Sequence, residues 1–178
     1  MAKERIFEMK SCFEDQYVEE GDGDIICIVA PKVTRELVDH IFENYYPEMI
    51  YFDECVEEFG DHAFESRNLC CVALDSAKNV RILGNSCFES AYNIDSNQAF
   101  ESVELIGKAC FKDSIVVGRI ELPKVKVIPE YAFWNADAYK ISAPIASKES
   151  DTSFKYAAAE GGIVYKEILD VMNNAMIL

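Results

Sequence analysis

Apolar and polar residues along this chain fall into a phrase that returns. The stretch "EFGDHAFES" (58–66) comes back as "ILGNSCFES" (82–90), "LIGKACFKD" (105–113) and "VIPEYAFWN" (127–135). Position 1 of the phrase is Phe59, Leu83, Ile106 and Ile128, and position 2 is Gly60, Gly84, Gly107 and Pro129. Position 5 is small (Ala63, Cys87, Cys110, Ala132), and position 6 is always phenylalanine: Phe64, Phe88, Phe111 and Phe133. A weaker copy, "LVDHIF" (37–42), runs from Leu37 to Phe42, and a degenerate one, "ESDTSF" (149–154), ends in Phe154. The clear starts at 37, 59, 83, 106 and 128 lie 22, 24, 23 and 22 residues apart.

A second pattern comes after each phenylalanine. Alternating apolar pairs (Ile50/Phe52, Val72/Leu74, Ile120/Leu122, Ile141/Ala143) predict one short strand per period with one buried face. The run "ICIVAP" (26–31) reads as an earlier strand, whereas "NIDSNQA" (93–99) puts polar residues where a strand is due. One strand in every 22–24 residues means a solenoid, with each coil paired in parallel to the next. The expectation is an α/β repeat solenoid of about five to seven coils. Its spine is Phe42, Phe64, Phe88, Phe111, Phe133 and Phe154. Glycine at position 2 fits a tight bend, and Pro129 in the same place implies that positive φ is not required there. Val33, Leu37, Val38 and Ile41 at helical spacing, with Thr34 as N-cap, predict a helix in the first coil. A strand over 163–165 and a helix carrying Ile168, Leu169, Val171, Met172 and Met176 are expected to cover the last coil.

The phrase I-G-x-x-A-F followed by a proline-ended strand resembles the BspA-type (Treponema-type) leucine-rich repeats over residues 37–144. The resemblance implies a right-handed solenoid with a parallel sheet on one face. It also implies a binding role without catalytic machinery, since many members are adhesins that hold other proteins. The expected organisation is an acidic N-terminal cap (1–36), the solenoid (37–144), and a degenerate last repeat with a C-terminal capping helix (145–178), all in one domain.

Charge narrows the partners. The net charge is −15, and residues 1–58 hold 16 acidic and 5 basic side chains against 16 and 12 in the remainder. Such a chain repels nucleic acid and anionic membrane. The opening residues lack an apolar core of signal-peptide type, so a cytoplasmic location is expected. Seven cysteines, an odd number without a C-x-x-C pair, argue for reduced thiols over a disulfide framework or zinc site.

Candidate chemistry is sparse. His40 and His62 each follow an aspartate, but a solvent-facing turn position explains them without a metal. Cys87 and Cys110 share position 5 of consecutive coils and read as packed thiols. "EEGDGDII" (19–26) lacks calcium-loop spacing, and no nucleotide or hydrolase motif occurs. No cofactor or metal is expected, and the chain reads as a non-enzyme.

Two features remain as partner-binding candidates. Tyr51 and Trp134 are expected to point outward as aromatic anchors. Asp53, Glu54, Glu57 and Glu58, with Glu14, Asp15, Glu19, Glu20, Asp22 and Asp24, form an acidic region. The leading expectation is a protein–protein binding module, monomeric or weakly oligomeric, that uses one solenoid face. The alternative is a small acidic inhibitor that imitates nucleic acid and blocks a basic protein.

Overall fold

The protein is seen in a computed structural model that describes residues 5–7, 17–20, 25–97 and 99–175. Cys12, Glu14, Asp15, Asp22, Asp24 and Met176 lie outside the described residues. The chain opens with β1 (Arg5–Phe7), β2 (Tyr17–Glu20), β3 (Ile25–Val29), β4 (Lys32–Val33) and helix α1 (Arg35–Asn44). Then come β5 (Met49–Phe52), β6 (Glu58–Phe59), β7 (Ile82–Leu83), β8 (Ile94–Asp95), β9 (Leu105–Ile106), β10 (Val116–Val117) and β11 (Arg119–Glu121). It closes with β12 (Val127–Ile128), β13 (Asp137–Ala138), β14 (Lys140–Ala143), β15 (Ser147–Lys148), β16 (Ala158–Ala159), β17 (Ile163–Tyr165) and helix α2 (Lys166–Ala175).

Strands β1, β2 and β3 pair antiparallel, unlike the parallel strands expected throughout, and from β3 onward the elements wind a parallel-stranded solenoid of about six coils with two flanking helices. The spine is present. Phe64, Phe88, Phe111, Phe133 and Phe154 stack in sequence with ring centroids 5.2–5.3 Å apart and planes within 3–11° of parallel. One ring per coil at this distance matches the ~4.8 Å separation of paired strands. Tyr165 adds a further ring, 5.0 Å from Phe154. A second buried ladder, Val56, Val80, Val103, Val125 and Ala146, lies three residues ahead of each start. Phe100 wedges edge-on between Phe88 and Phe111 at 5.8 and 5.6 Å.

Phe42 departs from the expected spine. Its copy of the phrase lies inside α1, which Thr34 caps by accepting the Leu37 N–H at 3.3 Å. The helix buries Leu37, Val38 and Ile41, while Phe42 is half-buried beneath the Arg67 guanidinium, 5.2 Å from its ring centroid. His40 is therefore helical and His62 sits in a turn, so the two do not share a repeat position.

The coils also hold more strands than one each. Between the starts at 106 and 128 lie both β10 and β11, and the strands among the described residues fall into six sheets. Strands stay short because corner residues break the extended backbone. His62, Ser86, Ala109 and Tyr131 at position 4 all have φ of 50–59°. Ser66, Ser90, Asp113, Asn135 and Tyr156 at position 8 have φ of 51–65°. This left-handed conformation costs most L-residues about 1 kcal/mol. Coil-to-coil bonds support it: the N–H groups of His62, Phe64 and Ser66 donate to the carbonyls of Asn85, Cys87 and Glu89, each at 2.8 Å.

Pro129 implied that position 2 needs no positive φ, and the structure agrees. Gly84 and Gly107 do not have positive φ, but a Cβ on either would lie 2.4–2.5 Å from backbone atoms of the preceding coil. The constraint is close backbone approach. In the polar second repeat, Ile94–Asp95 still pairs with Val116–Val117. Hydroxyls stand in for missing rungs nearby: Phe52 N–H donates to Ser76 Oγ at 2.9 Å, and Ser96 Oγ donates to the Arg119 carbonyl at 2.7 Å.

Candidate protein-binding face

In each two-residue strand of the order β4-β6-β7-β9, the second residue (Val33, then position 1 of the later coils) points into the core and its predecessor points out. Parallel register then aligns the predecessors: Lys32 beside Glu58, Glu58 beside Ile82, and Ile82 beside Leu105. Val127 holds the same place in the next coil. Three branched aliphatics thus form an outward row, with Ile82 37%, Leu105 61% and Val127 53% exposed. Ion pairs border it. Lys32 Nζ lies 2.6 Å from Glu58, and the Arg81 guanidinium donates to Glu104 Oε1 at 2.8 and 3.1 Å. A shallow groove of about 320 Å³ runs between Glu57, Glu58, Arg81, Ile82, Glu104 and Leu105.

The acidic candidates wrap the corner that leads from β5 into this face. Tyr51 is 41% exposed between buried Ile50 and Phe52. Asp53 accepts the Cys55 N–H at 2.9 Å, and that bond holds its carboxyl below the usual range. Glu54 and Glu57 are exposed, and the Glu54 carbonyl accepts from Asn79 Nδ2 at 2.8 Å. Tyr51, Asp53, Glu54, Glu57 and Glu58 therefore occupy one coil and its corner.

Trp134 belongs to another cluster. It is half-buried, edge-on to Tyr131 at 5.4 Å and to Tyr156 at 4.9 Å, with the Lys155 ammonium 5.1 Å from its ring centroid.

Other chemistry is locally satisfied. His62 Nδ1 lies 2.9 Å from Glu65 Oε2, and His40 pairs with Asn44 in its own helix. Among the described residues, no group of three or more His, Cys, Asp or Glu is arranged to hold a metal. Cys87 and Cys110 are buried thiols; burial, then the Cys110 neighbour, pushes the Cys87 thiol well up. A thiol so protonated is a poor nucleophile. No helix among the described residues is long and apolar enough to cross a membrane.

A family model for the BspA type leucine rich repeat region matches residues 20–140 in six copies. The chain belongs to this family. Comparisons with curated proteins and with solved structures gave no match. In this BspA-type chain, the outward row is the feature that the sequence pattern did not single out. Its signal stands at the head of every clear copy of the phrase, where the residue before position 1 is Glu58, Ile82, Leu105 or Val127. Strict alternation turns that residue away from the core whenever position 1 is buried.

Proposed function

We propose that this chain is a non-enzymatic protein-binding module that takes its partner on the strand face carrying Ile82, Leu105 and Val127. The observation behind the reading is that row: three aliphatic side chains, each more than a third exposed, Ile82 and Leu105 paired in register and Val127 at the same place before position 1 of the next coil. An exposed, contiguous apolar patch with a polar rim is the usual mark of an interaction surface. The leucine-rich-repeat solenoid is itself a scaffold generally used for protein interaction. The rim suggests the partner's chemistry. Glu57 is exposed, and Asp53 and Glu54 extend the acid beyond it, toward Tyr51 on β5 before the corner. A partner segment with apolar side chains for the row and basic ones for the corner fits this surface.

Affinity capture from the native host at low and high salt, with parent and variant baits, tests the reading. Leu105→Glu and Val127→Glu should each weaken capture about tenfold while leaving the fold intact. Binding that survives both changes, yet is abolished by high salt and by Glu57→Lys with Glu58→Lys, would replace the reading with the acidic-inhibitor alternative.

A further inference from the structure

Three corner positions of the phrase are polar or small in the early coils and become aromatic in the later ones. Position 4 runs His62, Ser86, Ala109 and then Tyr131; position 7 runs Glu65, Glu89, Lys112 and then Trp134. Position 8 runs Ser66, Ser90, Asp113, Asn135 and then Tyr156. The core does not require the change. Phe133 already fills it and is fully buried, whereas Tyr131 is 41% and Tyr156 65% exposed. Both tyrosines take left-handed backbone, φ 59° and 65°, which a bulky side chain adopts less readily than a short polar one. Their rings nonetheless converge on Trp134, the one tryptophan in the chain. Tyr156 stands at 88° to it with centroids 4.9 Å apart, and Tyr131 at 60° and 5.4 Å. The Lys155 ammonium sits where two of these rings meet, 5.1 Å from the Trp134 centroid and 5.0 Å from that of Tyr156. Among the described residues no carboxylate pairs with Lys155; each ion pair there uses another base.

We propose that the corner formed by Tyr131, Trp134 and Tyr156 binds a trimethylammonium group, and that the Lys155 side chain is its resident occupant. An aromatic ring presents a negative face, and a cation within about 6 Å of the centroid is attracted to it. Two rings at nearly a right angle direct that attraction to one point, and the Lys155 ammonium marks the point. The angle suits a compact, rounded cation better than a flat ring. Methylation favours an incoming group over the resident. A lysine ammonium is small and strongly hydrated, and Lys155 is an exposed side chain that can swing away. A trimethylammonium carries the same charge on a larger apolar surface, so it loses less hydration and buries its methyl groups against the rings. It also has no N–H group left without an acceptor. A net charge of −15 draws cations to the whole molecule. Choline and a trimethyllysine side chain both offer the group. This site uses none of the residues in the row carrying Ile82, Leu105 and Val127, and it stands independently of the function proposed for that row.

Because Trp134 is the one tryptophan, its fluorescence reads the corner directly. Titration with tetramethylammonium chloride should change that emission saturably, whereas sodium chloride at equal ionic strength should not. The methyl proton resonance of the probe should move upfield as the rings enclose it. Lys155→Ala vacates the corner and should tighten binding about three- to fivefold, the effect of removing one competing cation. In that background Tyr156→Leu should weaken binding about tenfold, and Tyr156→Phe, which keeps the ring, should restore it. Thermal melts of each variant separate loss of the site from loss of the fold, and Lys155→Ala tests the site without touching a ring. Choline and a trimethyllysine peptide then distinguish the two sources, the tighter of them naming the natural one. The same peptide with unmethylated lysine should bind at least about tenfold more weakly. A response no different from that to sodium chloride, unchanged affinity in Lys155→Ala, binding that survives Tyr156→Leu, or parity between methylated and unmethylated lysine would each overturn the proposal.

Discussion

Helices α1 and α2 are ten residues each and share an apolar stripe, yet only α1 is built into the core. The difference is the presence of a further coil. Helix α1 has a complete coil beyond it, and Arg67 from that coil reaches back to pair with Asp39 and to cover Phe42. Arg35 adds bonds to the carbonyls of His62 and Glu65 at 3.2 and 2.7 Å. Helix α2 comes directly after β17, with Leu169 half-buried and Val171 and Met172 exposed. An amphipathic pattern states that a helix can bury a face; only an adjacent layer decides whether it does.

The comparison can be broken in graded ways. The largest effect belongs to the spine, which both ends share. Phe111→Ala removes a fully buried ring stacked on both sides and should cost about 3–5 kcal/mol by chemical denaturation. Next is the pair of helices itself. Leu37→Ala or Ile41→Ala should cost about 2–4 kcal/mol, whereas Ile168→Ala in dilute solution should cost less than about 0.5 kcal/mol. Equal losses would erase the asymmetry. Third, Gly84→Ala drives a methyl into backbone 2.4 Å away and should destabilise by about 1–3 kcal/mol. Gly60→Ala meets the flexible Lys32 side chain at 2.8 Å and should be milder. Fourth, Thr34→Ala removes the α1 cap and should cost about 1 kcal/mol.

The smallest effect is on pH dependence. Burial acts to raise the Asp39 carboxyl, but hydrogen bonds and charge from Arg35 and Arg67 outweigh it and hold it below the usual range. A depressed folded value means that this contribution is complete above the unfolded value and is lost as pH falls through the folded one. Melting temperature should therefore fall more steeply below about pH 4 in the parent than in Asp39→Asn. The pair is partly exposed, so the difference should amount to less than about 1 kcal/mol.

Much of the fold was legible because one phenylalanine per period leaves an unmistakable trace. Phe64 through Phe154 stack as the spacing implies, and Ile163–Tyr165 is a strand. Phe100 was missed because it sits outside position 6, in a stretch whose polar residues suggested no core contribution. The left-handed corners were missed because His62, Ser86, Ala109 and Tyr131 have no side-chain chemistry in common; the backbone bonds between coils impose the conformation. The contact of Trp134 with Tyr156 was not legible, because Tyr156 comes from the next coil, 22 residues on, and no local pattern announces it. The outward row obeys the same alternation that turns Tyr51 to solvent, but strands of two residues are too short for that alternation to stand out.

Amide hydrogen exchange tests the asymmetry of the two ends most directly, because it reports each helix separately in one sample. In dilute solution the amides of α1, over 39–44, should exchange only with global unfolding, while those of α2, over 170–175, should exchange close to the unprotected rate. Protection of α2 equal to that of α1 would show that the helix seats on its own last coil, and would contradict the account.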